Sequence, residues 1–167
     1  MKNVSPFVVV GALRENKGKS ILVNVLAPEK VPIKFTCSRA ENLLNFTKDE
    51  FEYYLARNNS TIPSEVSIVI LYCGSWSCNA AETYYHELKK RGVGMSKVYD
   101  YKGSIHEWAM YSIIYPEKFQ VLSYPNYELM NEEELRKLAK DMMHSYLVKD
   151  EKKEKRHDIS KLVKAGL

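Results

Sequence analysis

The sequence predicts an α/β domain: a mostly parallel central sheet flanked by helices, with a helical extension at its C-terminus. Three observations carry this reading. Apolar, β-branched runs at Ile21–Leu26, Ser67–Tyr72 and Lys97–Tyr101 read as strands, and the run from Ile68 to Leu71 has no polar interruption, as burial on both sheet faces requires. Helical patterns alternate with these runs, the order that produces parallel strands joined by crossovers. Beyond Tyr115 the alternation stops and a single amphipathic pattern follows.

Taken in order, Ser5-Pro6 reads as an N-cap followed by proline at the first helical position. It opens a helix over Pro6–Glu15, although Phe7-Val8-Val9-Val10 has strand character as well. Gly18 interrupts the pattern before the first strand. The segment from Ala27 to Arg39, punctuated by Pro28 and Pro32, reads as irregular. Thr47-Lys48-Asp49-Glu50 has capping-box spacing, so a helix should run through Phe51, Tyr54 and Leu55 to Arg57 and end at Asn58-Asn59-Ser60. The helix after Cys78 turns Ala81, Tyr84, Tyr85 and Leu88 inward, with Lys89, Lys90 and Arg91 in its last turn and Gly92 behind them. After the third strand, Lys102-Gly103-Ser104 turns the chain into a short helix over Ile105–Met110.

These elements make residues 1–115 one domain, and residues 116–167 a connector, an amphipathic helix and a charged tail. Pro116 and Pro125 bracket the tyrosine-rich connector. Asn131-Glu132-Glu133-Glu134 caps the helix with acidic residues at its positive end, and Leu135, Leu138, Ala139, Met142 and Tyr146 follow at spacings of three and four. That stripe over residues 131–147 must pack on the domain or on a protein partner. From Lys149 onward the charges alternate in sign, which reads as a solvated tail.

Composition excludes several classes. A net charge of +4, spread among acidic residues, is too small an excess for a nucleic-acid surface. No run approaches the ~20 apolar residues of a membrane span, and the start lacks the layout of a signal peptide. Three cysteines, Cys37, Cys73 and Cys78, are too few and odd in number for a disulfide scaffold. The four histidines do not combine with them at zinc-site spacing, so no metal and no cofactor is expected. A cytoplasmic or comparably reducing setting follows.

The chemistry concentrates where the second strand stops. Cys73 follows Tyr72 directly, and Gly74, Ser75, Trp76, Ser77 and Cys78 form a short loop into the next helix. A thiol there faces the open N–H groups of a helix start, which favour an anion and lower its pKa. Cys73 is therefore the candidate nucleophile. The N–H groups from Gly74 to Cys78 would form an anion nest, Ser75 and Ser77 would add hydroxyl donors, and Trp76 would form a wall. Cys78 has two readings: a second thiol that resolves a persulfide or sulfenic state of Cys73 through a disulfide, or a small apolar residue at a helix start. Other candidates are weaker. His106 and Glu107 could assist proton transfer but read first as a solvated helix start, Trp108 reads as core, Asn24 as a turn-holding side chain, and nothing near Cys37 suggests activation.

VSIVILYC, a short loop, AAETYYHELKKRG and then KVYDYKGSIHEW together resemble the second half of a rhodanese-like domain. That family has an apolar strand ending in Tyr-Cys, a helix opening on small residues, and a strand-Gly-Gly-x-x-x-Trp closure. Lys102-Gly103-Ser104-Ile105-His106-Glu107-Trp108 stands at the closure, and ILVNVLAPEK resembles the early strand, with Asn24 where aspartate is common. The resemblance spans residues 4–112. It implies the rhodanese-like fold and sulfur transfer: Cys73 attacks a sulfane donor such as thiosulfate, carries the sulfur as a persulfide, and yields it to a thiol acceptor. Family members often place an arginine or lysine in the loop after the cysteine, whereas Gly74–Asn79 holds none. Phosphatases on this fold need an arginine six residues beyond the cysteine to clamp the oxyanion, and Asn79 stands there. The missing cation keeps a second reading open, a catalytically inactive module with a structural or protein-interaction role. A third is a thiol-redox pair of Cys73 and Cys78.

Overall fold

The computed structural model describes residues 1–15, 19–26, 33–34, 44–74, 76–115 and 117–121. Helix α1 (Pro6–Glu15) opens the fold, and Ser5 caps it through its Oγ, which accepts from Val8 N–H at 3.3 Å. Strand β1 (Ser20–Asn24) follows, then the two-residue strand β2 (Ile33–Lys34), strand β3 (Leu44–Thr47), helix α2 (Lys48–Arg57) and strand β4 (Ile68–Tyr72). Helix α3 (Ala80–Lys90), strand β5 (Val98–Tyr101), helix α4 (Ser104–Ile114) and strand β6 (Gln120–Val121) complete the order. The four longer strands form one parallel sheet in the order β3-β1-β4-β5. The short pair β2 and β6 lies antiparallel. The N-terminal segment extends the main sheet beyond β5: Val4 N–H donates to Asp100 O, and Asp100 N–H to Lys2 O, each at 2.8 Å.

Strand parity divides the core. Leu22, Ile70, Tyr72, Tyr99 and Tyr101 face one side, where α1, Trp108 and Phe119 cover them. Ile21, Val23, Val69, Leu71, Cys73 and Val98 face the other, beneath Phe51 and Leu55 of α2 and Ala81, Tyr84 and Leu88 of α3. Every residue of β1, β4 and β5 is buried, as a sheet covered on both faces requires.

Several expectations meet their structure here. Residues 7–10 are helical, because their valines pack one face of α1 onto the sheet. The capping box at Thr47 is formed with both of its hydrogen bonds. Helix α3 ends in a Schellman turn: Gly92 at φ 83°, Gly92 N–H to Lys89 O, and Val93 N–H to Leu88 O. Helix α4 runs a full turn past the predicted Met110, since Met110 and Ser112 are buried as well. Strand β3 is an addition to the sequence reading, as are the short β2, inside the segment read as irregular, and β6, inside the connector. The four residues of β3 have no strong strand pattern, and pairing with β1 from Ile21↔Leu44 to Asn24↔Thr47 creates it. The connector beyond Val121, the helix over residues 131–147 and the charged tail lie outside the described residues. Among the described residues no helix is long and apolar enough to cross a membrane.

Candidate active site

Cys73 stands one residue past β4, at the carboxyl end of the parallel sheet, where open α/β sheets bind their ligands. Its neighbour strand ends beside it: Val25 N–H donates to Tyr72 O at 3.0 Å. Asn24 closes that adjacent turn, accepting Leu26 N–H on its Oδ1 at 3.0 Å. Gly74 then passes over Leu26, so closely that a Cβ at position 74 would come within 3.3 Å of the Leu26 side chain.

The backbone of Cys73 is held from α4. Its N–H donates to Ser104 Oγ at 2.9 Å, and its carbonyl accepts from Ile105 N–H at 3.2 Å. Ser104 Oγ in turn donates to Tyr101 O at 2.9 Å. Ser104 is itself buried and sits at φ 60°, left-handed backbone that favours glycine.

The Cys73 side chain departs from the sequence reading. An open thiolate at the mouth of the sheet was expected, whereas Cys73 is 1% exposed and disulfide-bonded to Cys78, with a Cα–Cα separation of 6.4 Å. Parity is the reason. Val69, Leu71 and Cys73 alternate onto the α3 face, so the sulfur turns into the apolar cluster rather than out of it. Cys78, two residues before α3, is half-buried against the same cluster. Cys78 thus packs against the apolar cluster and is bonded to Cys73. Asn79, at the N-cap position of α3, makes no side-chain cap hydrogen bond.

Of the remaining loop residues, Trp76 is half-buried and Ser77 exposed, while Ser75 lies outside the described residues. The cation absent from the loop's sequence arrives from the β5–α4 turn. Lys102 Nζ lies 5.6 Å from the Trp76 ring centroid, within cation–π range. The Lys102 backbone is fixed from the N-terminal segment, its N–H donating to Asn3 Oδ1 at 3.1 Å. Only the closure of the sheet brings positions 76 and 102 together, so the loop's own sequence carried no sign of this lysine.

Glu107 is another correction. The sequence placed it on a solvated helix start, but it is buried and accepts from Tyr101 Oη at 2.9 Å. Its carboxyl folds back against Gly103, where a Cβ would overlap Glu107 Oε1 and Cδ. Trp108 is core, edge-on to Tyr101 and Phe119. Cys37 and the His106 side chain lie outside the described part of the structure.

The family model for the rhodanese-like domain matches residues 20–111, more than half of the 167-residue chain. The chain belongs to the rhodanese-like family. The match runs from the start of β1 to within α4 and so contains Cys73, its loop, Lys102 and Ser104. No curated protein and no solved structure matches this rhodanese-like chain.

Proposed function

We propose that this rhodanese-like protein is sulfurtransferase-like and, in its reduced form, carries sulfane sulfur as a persulfide on Cys73. The observation that supports it is the fixed placement of Cys73: the cysteine ends a central strand of a rhodanese-like sheet, with its N–H and C=O both anchored to α4. Reduction of the disulfide with Cys78 frees the thiol. A thiolate at that position attacks the outer sulfur of a donor such as thiosulfate, and sulfite leaves with the bonding pair. A thiol acceptor then takes the sulfur. Lys102 beside Trp76 supplies positive charge for an anionic donor. The cycle requires a reducing setting such as the cytoplasm.

The test is direct. The protein is reduced, freed of reductant under anaerobic conditions, incubated with thiosulfate and measured by intact mass with peptide mapping. Gain of one sulfur on Cys73, lost in Cys73→Ser, is the expected result. No gain with thiosulfate or another sulfane donor would sink the reading.

One observation favours a second reading, a catalytically inactive module with a structural or interaction role. Cys73 is 1% exposed, packed in the apolar cluster beneath α2 and α3. On that reading the reduced thiol stays inert to donors and to alkylating agents alike, and Cys73→Ser leaves the protein's role intact.

A further inference from the structure

The disulfide places two sulfurs in bonding contact inside one loop, and this bears on which thiol accepts the sulfur. We propose that Cys78 is the internal acceptor: its thiolate displaces the sulfane sulfur of the Cys73 persulfide as hydrosulfide and leaves the Cys73–Cys78 disulfide as the product state. The inference rests on the persulfide reading and adds the second half of the cycle.

Two features of the loop favour this route over an external thiol. Cys73 is 1% exposed and packs in the apolar cluster, and the partner already bonded to it there has the shortest path to its sulfur. Cys78 is already there, half-buried, with its sulfur joined to that of Cys73. The pairing seen here brings the attacking atom to its target.

The step balances. Cys78 loses its proton to solvent and its thiolate attacks Cys73 Sγ. The Sγ–Sγ bond forms as the bond from Cys73 Sγ to the outer sulfur breaks, and that sulfur departs with the electron pair as hydrosulfide. The two cysteines are oxidised by two electrons and the sulfane sulfur is reduced by two. Return to the dithiol needs an external dithiol reductant, which opens the disulfide by ordinary exchange. The net reaction converts thiosulfate and a dithiol into sulfite, hydrosulfide and a disulfide.

The experiment compares wild type with Cys78→Ser, both reduced, desalted and held anaerobically, then given thiosulfate without reductant. Hydrosulfide is measured by a trapping reagent, and the state of each cysteine by peptide mapping. Wild type is expected to release one hydrosulfide per chain and finish as the Cys73–Cys78 disulfide. Cys78→Ser is expected to stop at the Cys73 persulfide, with hydrosulfide release lost. If wild type holds a stable persulfide, or if both proteins release hydrosulfide alike, the internal acceptor is overturned while the persulfide reading stands. If neither protein takes up sulfur, the persulfide reading itself has failed, and the internal acceptor with it.

Discussion

Ser104 Oγ accepts the Cys73 backbone N–H at 2.9 Å while it donates to Tyr101 O, also at 2.9 Å. One hydroxyl thus ties the Cys73 backbone to the end of the next strand. It does so at φ 60°, where the rhodanese-like closure ordinarily has a second glycine. Serine accepts left-handed backbone strain there and gains two buried hydrogen bonds.

Two substitutions at position 104 separate those effects. Ser104→Ala keeps the strain and strands the buried Cys73 N–H, and should cost about 1–3 kcal/mol. Ser104→Gly loses the same bonds but relaxes the backbone, and should cost roughly 1 kcal/mol less than alanine. Urea unfolding of both variants measures this. Equal losses would show that the backbone at 104 is unstrained.

Lys102 predicts a charge effect on sulfur uptake. Lys102→Gln should slow persulfide formation from thiosulfate about fivefold at low ionic strength, a loss of roughly 1 kcal/mol of attraction at a screened surface site. Added salt should erase the difference, and an uncharged sulfane donor should show none. Stopped-flow loading at two salt concentrations tests it. A salt-independent defect would mean that Lys102 acts by packing on Trp76 rather than by charge.

Gly103 and Glu107 should behave as a coupled pair. Gly103→Ala sets a methyl against the folded-back carboxyl of Glu107 and should destabilise by about 1–3 kcal/mol. In a Glu107→Ala background the same change should cost far less, because the overlapping atoms are gone. Thermal unfolding of the four proteins gives the coupling, and simple additivity would refute it.

Glu52 predicts the acid limb of stability. Arg91 donates to both of its carboxylate oxygens, Nη1 at 2.7 Å and Nη2 at 2.9 Å, and Tyr84 Oη adds a third bond at 2.7 Å. The bonds from Arg91 lower the Glu52 pKa; partial burial opposes this, and the Tyr84 bond reinforces it. A carboxylate with a depressed folded pKa stabilises fully above its unfolded value, and that contribution is lost as pH falls through the folded value. Glu52→Gln should therefore flatten the acid limb of an unfolding-versus-pH curve. At neutral pH it should cost only about 1 kcal/mol, since the pair is partly exposed and screened. An unchanged acid limb would remove the network from the stability of the α2–α3 contact.

Much of the frame was legible locally. The helix starts at Ser5 and Thr47, the stop at Gly92, the buried strands β1, β4 and β5 and the place of Cys73 at a strand end all follow from short-range rules: capping oxygens, left-handed glycine and apolar periodicity. These act within a few residues and leave their mark on the sequence. Strand β3 left none, because pairing with β1 rather than its own composition makes it a strand.

The sequence by itself determined the fold class, the family and which cysteine ends the central strand. The tertiary structure decided what surrounds that cysteine. Strand parity buried its sulfur and turned it to Cys78, while closure of the sheet brought Lys102 to Trp76 and Ser104 to the Cys73 N–H across 31 positions of chain. The division has one physical cause: caps, turns and periodicity are local interactions, whereas the charge, burial and hydrogen bonding at the site come from contacts that exist only once distant strands are side by side.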